Sequence, residues 1–338
     1  MIAVSAPLPL SGRHAPQPQP HAPAPKAASL TDAHGRTMRK LRLSVTEACQ
    51  FRCFYCMPEG SPQIRREGML DAAGYARLVR ILAEGGIRQV RVTGGEPTLR
   101  PDLLDIFQAL SGIPGLELSL TTNGELLPPL LPGLRACGVR GVNISLDSLD
   151  PETFHAITRR PLEPVLKAIR QSVAQGFQVK LNSVVCRGRN DHEAPAFAAF
   201  AAAEGVEVRF LELMKIGPGG RDHARDFVPA HETEALLRTR FSLTPLAVPG
   251  DSTAFRFRLD NGAAVGFIAS ESRPFCGGCS RLRLSARGEL RPCLMKDEKI
   301  PLAPLPDAQI LQAARGLLPL KPAGRIESLD QPMHAIGG

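Results

Sequence analysis

From residue 40 to residue 213 the chain alternates short β-like runs with helical segments, and this alternation limits the fold more than any other feature. The β-like runs fall at 40–46, 90–93, 116–122, 139–145, 179–185 and 206–213. Helical patterns lie between them, near 72–83, 102–110, 128–136, 163–175 and 192–203; the first stops at Gly85-Gly86, a helix-end signal. Such alternation implies a parallel sheet with helical crossovers. The expected fold is α/β, an incomplete (β/α)6 TIM-like barrel. In a barrel of this kind site residues gather at the C-terminal ends of the strands. The informative residues fall there. Cys49 follows the first run, Gly94 and Gly95 the second, and Thr121 to Gly124 the third. Ser145 and Asp147 follow the fourth, Asn182 lies in the fifth, and Glu212 and Met214 close the sixth.

After residue 217 the pattern changes. Gly217 to Gly220 is a Pro/Gly link, followed by a short helix near 231–240 and β-like runs at 254–259 and 263–268. The expected organisation is a leader at 1–29, a barrel at 30–216 and an appended smaller module at 217–338. The leader is rich in Pro and Ala, has seven prolines and no acidic residue, and carries only Arg13 and Lys26 as fixed charges. It reads as disordered, with an organelle transit peptide as the alternative.

Hydrophobic residues make up 43% of the 338, enough for a sizeable core, and no apolar stretch approaches the length of a membrane span. The net charge of +8 permits an anionic substrate, nucleic acid or an acidic partner. No Lys/Arg run with interleaved aromatics points to nucleic acid. A focused basic pocket is therefore expected.

The cysteines are clustered rather than spread as a disulfide framework, which suits a reducing, cytoplasmic compartment. Cys49, Cys53 and Cys56 form C-x3-C-x2-C. Three thiolates can hold three corners of an iron–sulfur cube and leave the fourth iron open to a small molecule. Structural zinc wants four closed ligands, and no fourth Cys or His lies close by. Cys276, Cys279 and Cys293 form a second triplet, C-x2-C-x13-C. All six could share one large cluster, but the two local spacings suggest two sites. Cys137 and Cys186 have no partner at ligand spacing and read as buried core thiols. Gly94-Gly95-Glu96-Pro97 follows a strand directly. Its glycines let a ligand approach the backbone, and its carboxylate can hold a ligand ammonium; an ordinary β-to-α turn is the alternative.

Several segments together carry a resemblance: Leu41-Arg42-Leu43-Ser44-Val45-Thr46 before Cys49, Thr93 to Arg100, Thr121-Thr122-Asn123-Gly124, Val142 to Asp147, Val179 to Asn182, Val208 to Met214 and Phe275 to Leu284. With both cysteine triplets and the terminal Gly337-Gly338, these make the chain, from about Leu30 onward, resemble the GTP 3′,8-cyclase family of the radical S-adenosylmethionine superfamily, the first enzymes of molybdenum cofactor biosynthesis. The resemblance implies a radical S-adenosylmethionine barrel whose C-terminal extension carries a second [4Fe–4S] cluster. It implies that the first cluster binds and reductively cleaves S-adenosylmethionine. A 5′-deoxyadenosyl radical would then take hydrogen from C3′ of GTP, and the C3′ radical would add to C8 of guanine. The second cluster would hold the guanine.

The resemblance also assigns residues. Tyr55, Gly95, Glu96, Ser145 and Met214 would contact S-adenosylmethionine. Arg42, Arg91, Thr121, Lys180, Arg281, Leu282 and Arg283 would line the GTP site, and Gly337 and Gly338 would reach into it as a backbone tail. Arg281 and Arg283 lie two apart in a β-like run, so both point to one face. The partners implied are GTP, a second copy of the chain, an electron donor and a downstream cyclic pyranopterin monophosphate synthase. Three positions depart from the family pattern: Gln50 stands for the usual Asn, Ser280 for the usual Asn, and Arg287 for a usual acidic residue. The competing readings are a different, peptide-maturing radical enzyme and a non-catalytic zinc- or RNA-binding module.

Overall fold

The computed structural model describes residues 29–57 and 68–324. The leader at 1–28 and the tail with Gly337 and Gly338 lie outside the described residues. Six strands open the fold: β1 (Lys40–Ser44), β2 (Gln89–Thr93), β3 (Glu117–Thr122), β4 (Gly141–Ser145), β5 (Gln178–Val185) and β6 (Glu207–Glu212). Each pairs in parallel with the next. Helices cross between them at Ala72–Glu84, Leu103–Ser111, Leu131–Ala136, Pro151–Thr158, Glu163–Ala174 and Ala194–Glu204. The first is capped by Asp71, whose side chain accepts from Gly74 N. Helix Pro151–Thr158 is absent from the sequence reading, although Asp150 caps it and Pro151 opens it.

The C-terminal part supplies β7 (Leu243–Leu246), β8 (Phe255–Leu259), β9 (Ala264–Ile268), β10 (Arg281–Leu284), β11 (Glu289–Arg291) and β12 (Ile300–Pro301). The sheet order is β12-β11-β10-β1-β2-β3-β4-β5-β6-β9-β8-β7. β10 runs parallel to β1, and β9 runs parallel to β6. Parallel pairing therefore extends from β10 through β1 to β6 and on to β9, and antiparallel strands continue both edges. The break at residue 217 divides the sequence and not the sheet. Among the described residues β9 and β10 do not pair with each other, so the barrel stays open. No helix among them is long and apolar enough to cross a membrane.

The pleat sorts the side chains. Leu41, Leu43, Val90, Val92, Leu118, Leu120, Val142, Ile144, Leu181, Val208, Val265, Leu282 and Leu284 are buried in one continuous core against the helices. The alternate positions face the other way and are polar: Arg42, Arg91, Ser119, Asn143, Lys180, Arg209 and Arg281 all line a cavity of about 1380 Å³. In a filled barrel such positions carry branched apolar residues. Here they wall a chamber.

Candidate active site

The first triplet sits on the loop after β1. That loop docks on the C-terminal end of helix Pro151–Thr158, where Arg52 N donates to Thr158 O and Phe54 N to Ile157 O. These carbonyls end the helix and have no partner within it. Tyr55 is anchored by a 2.6 Å hydrogen bond from its hydroxyl to Asp147 Oδ2. Burial raises the Asp147 carboxyl to about 6. Asn123 Nδ2 lies 3.9 Å from Cys49 Sγ, and Gln50 reaches Asn123 and Glu125. The family-atypical Gln50 thus ties the cysteine loop to the end of β3.

The Gly-Gly-Glu turn meets this loop at close range. Gly95 N donates to Thr46 O and Glu96 N to Ala48 O, both at 2.7 Å. A Cβ on Gly95 would lie 2.2 Å from Ala48 O, and Gly94 holds φ +148° with Thr46 O 2.4 Å from its would-be Cβ. Glycine is needed at both positions because another backbone passes there.

Glu96 is held by four hydrogen bonds. It is 1% exposed, and its carboxylate accepts from Thr98 N (3.0 Å), Thr98 Oγ1 (2.6 Å), Thr122 Oγ1 (2.6 Å) and Asn123 N (2.6 Å). Burial raises its pKa, and these donors oppose the rise. Its oxygens brace the ends of β2 and β3 from behind. Two polar atoms at the barrel strands, Thr121 Oγ1 of β3 and Asn182 Oδ1 of β5, are buried without a hydrogen-bond partner. Buried groups of this kind are rare without a ligand or water to satisfy them. Ser145 pairs in register with Asn182 on the adjoining strand.

The second triplet lies on the other side of β1. Cys276 and Cys279 bracket a short turn before β10, and Cys293 follows β11. Cys279 Sγ accepts from Arg281 Nη2 (3.3 Å) and Lys321 Nζ (3.4 Å). Burial pushes this thiol up, but the two cations outweigh burial and bring it down to about 7. Lys321 is 3% exposed and also donates to Arg281 O and Pro292 O. Arg36, paired with Asp32, donates to Cys276 O and Pro322 O. Met214 packs with Ile216, Cys293, Leu294 and Met295. Its carbonyl and that of Tyr55 both lie 3.1 Å from where a Cβ on Gly219 would stand. Met214 therefore stands between the two triplets.

The three cysteines of the loop after β1 are the donor chemistry of an iron–sulfur cube with one iron left open. Around the first triplet burial, then Glu96, pushes Cys49 up to about 12, and burial, then Asp147, raises Cys53.

The cavity is basic. Arg42, Arg91, Lys180, Arg281, Arg209 and Arg256 line it. Burial and then neighbouring Arg91 and Arg283 lower Arg42 well below its usual value. Burial, then Arg209 and Arg281, lowers Arg91 to about 10. Arg283 is lowered to about 10, chiefly by burial; it pairs with Arg42 across β10 and β1. The side chain of Leu282 is 0% exposed and belongs to the core. Cys137 and Cys186 are buried, as expected.

The sequence reading missed Lys321, Glu207 and Arg256. Glu207 is an acid among the cations, 2.7 Å from Arg209 Nε and 2.7 Å from Arg256 Nη2. Its place next to Arg209 in 206–213 was the one available signal. Arg256 and Lys321 enter from strands and turns that only the folded chain brings near.

Comparison with known proteins agrees with this arrangement. The Radical SAM superfamily model matches residues 43–201, and the Molybdenum Cofactor Synthesis C model matches residues 206–318. The chain is 40% identical over 315 residues to "GTP 3′,8-cyclase" of Synechocystis sp., covering 93% of this chain and 96% of that protein. It is 37% identical over 353 residues to the enzyme of the same name from Paenarthrobacter nicotinovorans, covering 94% and 99%. Among solved structures, Streptococcus suis SuiB bound to its precursor peptide SuiA superposes with a TM-score of 0.63 at 13% identity, covering 89% of this chain and 77% of that one; this likeness concerns the fold. Identity at this level over nearly the full length of both chains places this chain in the GTP 3′,8-cyclase family of radical S-adenosylmethionine proteins.

Proposed function

We propose that the chain converts GTP to (8S)-3′,8-cyclo-7,8-dihydroguanosine 5′-triphosphate, the first step of molybdenum cofactor biosynthesis. The observation that carries this reading is a cavity in the open barrel walled by arginines and a lysine, with β1 and β10, the strands beside the two cysteine triplets, paired next to each other. Cys49, Cys53 and Cys56 would hold a [4Fe–4S] cluster that supplies reductive cleavage of S-adenosylmethionine, and Cys276, Cys279 and Cys293 a second one that offers an open iron to guanine.

The chain's own residues do the positioning. Arg42, Arg91, Lys180, Arg281 and Arg283 supply the charge for a triphosphate, and arginine can meet phosphate with two parallel donors. Thr121 Oγ1 and Asn182 Oδ1 offer hydrogen bonds to the nucleoside parts of either ligand. Tyr55, Gly95, Glu96, Ser145 and Met214 would contact S-adenosylmethionine, and Glu96 also braces the ends of β2 and β3. Gly337 and Gly338 would complete the site as a tail. A homodimer, an external electron donor and a downstream cyclic pyranopterin monophosphate synthase complete the proposal. Eight free cysteines suit a reducing cytoplasm.

Anaerobic iron and sulfide analysis tests the two-cluster assignment. Simultaneous Cys276→Ala, Cys279→Ala and Cys293→Ala substitution is expected to halve the iron while leaving S-adenosylmethionine binding at the first site intact. Wild-type protein with iron for a single cluster would overturn it.

A further inference from the structure

Three adjoining strands place Arg209, Gly266 and Arg256 in one row. Arg209 of β6 pairs with Gly266 of β9, and Gly266 pairs with Arg256 of β8. Register partners point to the same face. A side chain at 266 would stand between the two arginines: its Cβ would lie 3.5 Å from Cγ of each. With glycine there, both side chains lean over β9 and meet on one carboxylate. Arg209 Nε donates to Glu207 Oε1 and Arg256 Nη2 to Glu207 Oε2, each at 2.7 Å.

Glu207 is 8% exposed and lies behind the arginines, while Arg209 and Arg256 themselves line the cavity. The carboxylate uses one nitrogen of each guanidinium. The terminal nitrogens of Arg209 make no hydrogen bond among the described residues, and Arg256 Nε is buried without a partner. The two guanidiniums are thus fixed from one side and leave donors unused. Arg258, two residues along β8, is different: it is exposed and bonds Gly262 O.

We propose that Arg256 is a further substrate-binding residue, one that meets the polyphosphate of GTP beside Arg209, and that Glu207 is the positioning residue that aims both guanidiniums. This rests on the reading of the cavity as the GTP site. A doubly clamped pair of guanidiniums suits a group with several anionic oxygens, and it adds nothing for an uncharged nucleoside. Arg256 belongs to the antiparallel edge rather than to a β/α unit, so the C-terminal strands would shape substrate choice as well as the second cysteine site.

The test is equilibrium binding of GTP, GDP and guanosine to the anaerobically reconstituted full chain, with melting temperature and iron content confirming that each variant is intact. R256Q is expected to weaken GTP about tenfold or more, from the loss of charge-assisted hydrogen bonds, and to leave guanosine unchanged. R256K, which keeps the charge and loses the fork, is expected to fall between. R258Q should bind like the wild type. E207Q is expected to weaken GTP severalfold even though it makes the neighbourhood more positive. Tighter GTP binding by E207Q would overturn the positioning role. If R256Q binds GTP like the wild type while R91Q does not, the role of Arg256 is overturned and the cavity assignment survives. If neither R256Q nor R91Q weakens GTP, the cavity assignment itself fails.

Discussion

Lys180 shows how a single residue carries the physics of this cavity. Its ammonium lies on the inner face of β5, and burial, then the charge of Arg209, lowers it to about 8. The empty cavity therefore disfavours the protonated form, and an anion favours it. GTP binding should take up a proton at and above pH 8, and affinity should fall as pH rises through that value. Lys180→Arg should remove the proton uptake, because a guanidinium stays charged there. Calorimetry in buffers of different ionisation enthalpy measures this directly; equal uptake in wild type and variant would contradict it. The sequence exposes residues of this kind unevenly. Cysteine spacing speaks for itself, because ligands of one cluster cluster in the chain. Glu96 does not, because Thr122 and Asn123, which its carboxylate serves, are 26 and 27 residues away. Its bracing of the ends of β2 and β3 is visible only once these strands are side by side.

At the scale of elements, the strands were legible because one face of each is continuously apolar. Period-two alternation survives in β3 and β5 as buried and part-buried positions in turn. Strand neighbours were less legible. β9 and β10 reach opposite edges of the same parallel sheet, and nothing local in 264–268 or 281–284 says which strand they will join. The same limit hid the loop before β8, which turns back to place Asp251 on Lys40 (2.9 Å) and on Ser280 Oγ (2.5 Å). Ser280, atypical for the family, has its partner there. The Gly-Gly-Glu turn was recognised by its residues, but the reason for its glycines is an element contact, the passage of 46–48 over it. Gly95→Ala forces a Cβ to within 2.2 Å of Ala48 O. The expected cost is about 1–3 kcal/mol of stability, with displacement of the Cys49 loop and loss of iron from the first site. A variant with wild-type melting temperature and iron content would contradict this account.

At the scale of the whole molecule, the open barrel is lined with cations where other barrels are filled with apolar side chains. The C-terminal strands bring the second cysteine triplet to the edge of β1, and Arg281 joins that triplet to the cavity. On the proposed function, chemistry at the first triplet and recognition at the second would act on one substrate. Most of this was readable as motifs, and the continuity of the sheet was not, since it depends on contacts hundreds of residues apart. The most direct measurement gives the cluster-loaded, reduced protein S-adenosylmethionine and GTP carrying deuterium at C3′. The account predicts 5′-deoxyadenosine that contains the deuterium, formed together with a cyclised triphosphate and dependent on GTP. Unlabelled 5′-deoxyadenosine formed at the same rate without GTP, with the nucleotide left intact, would contradict it.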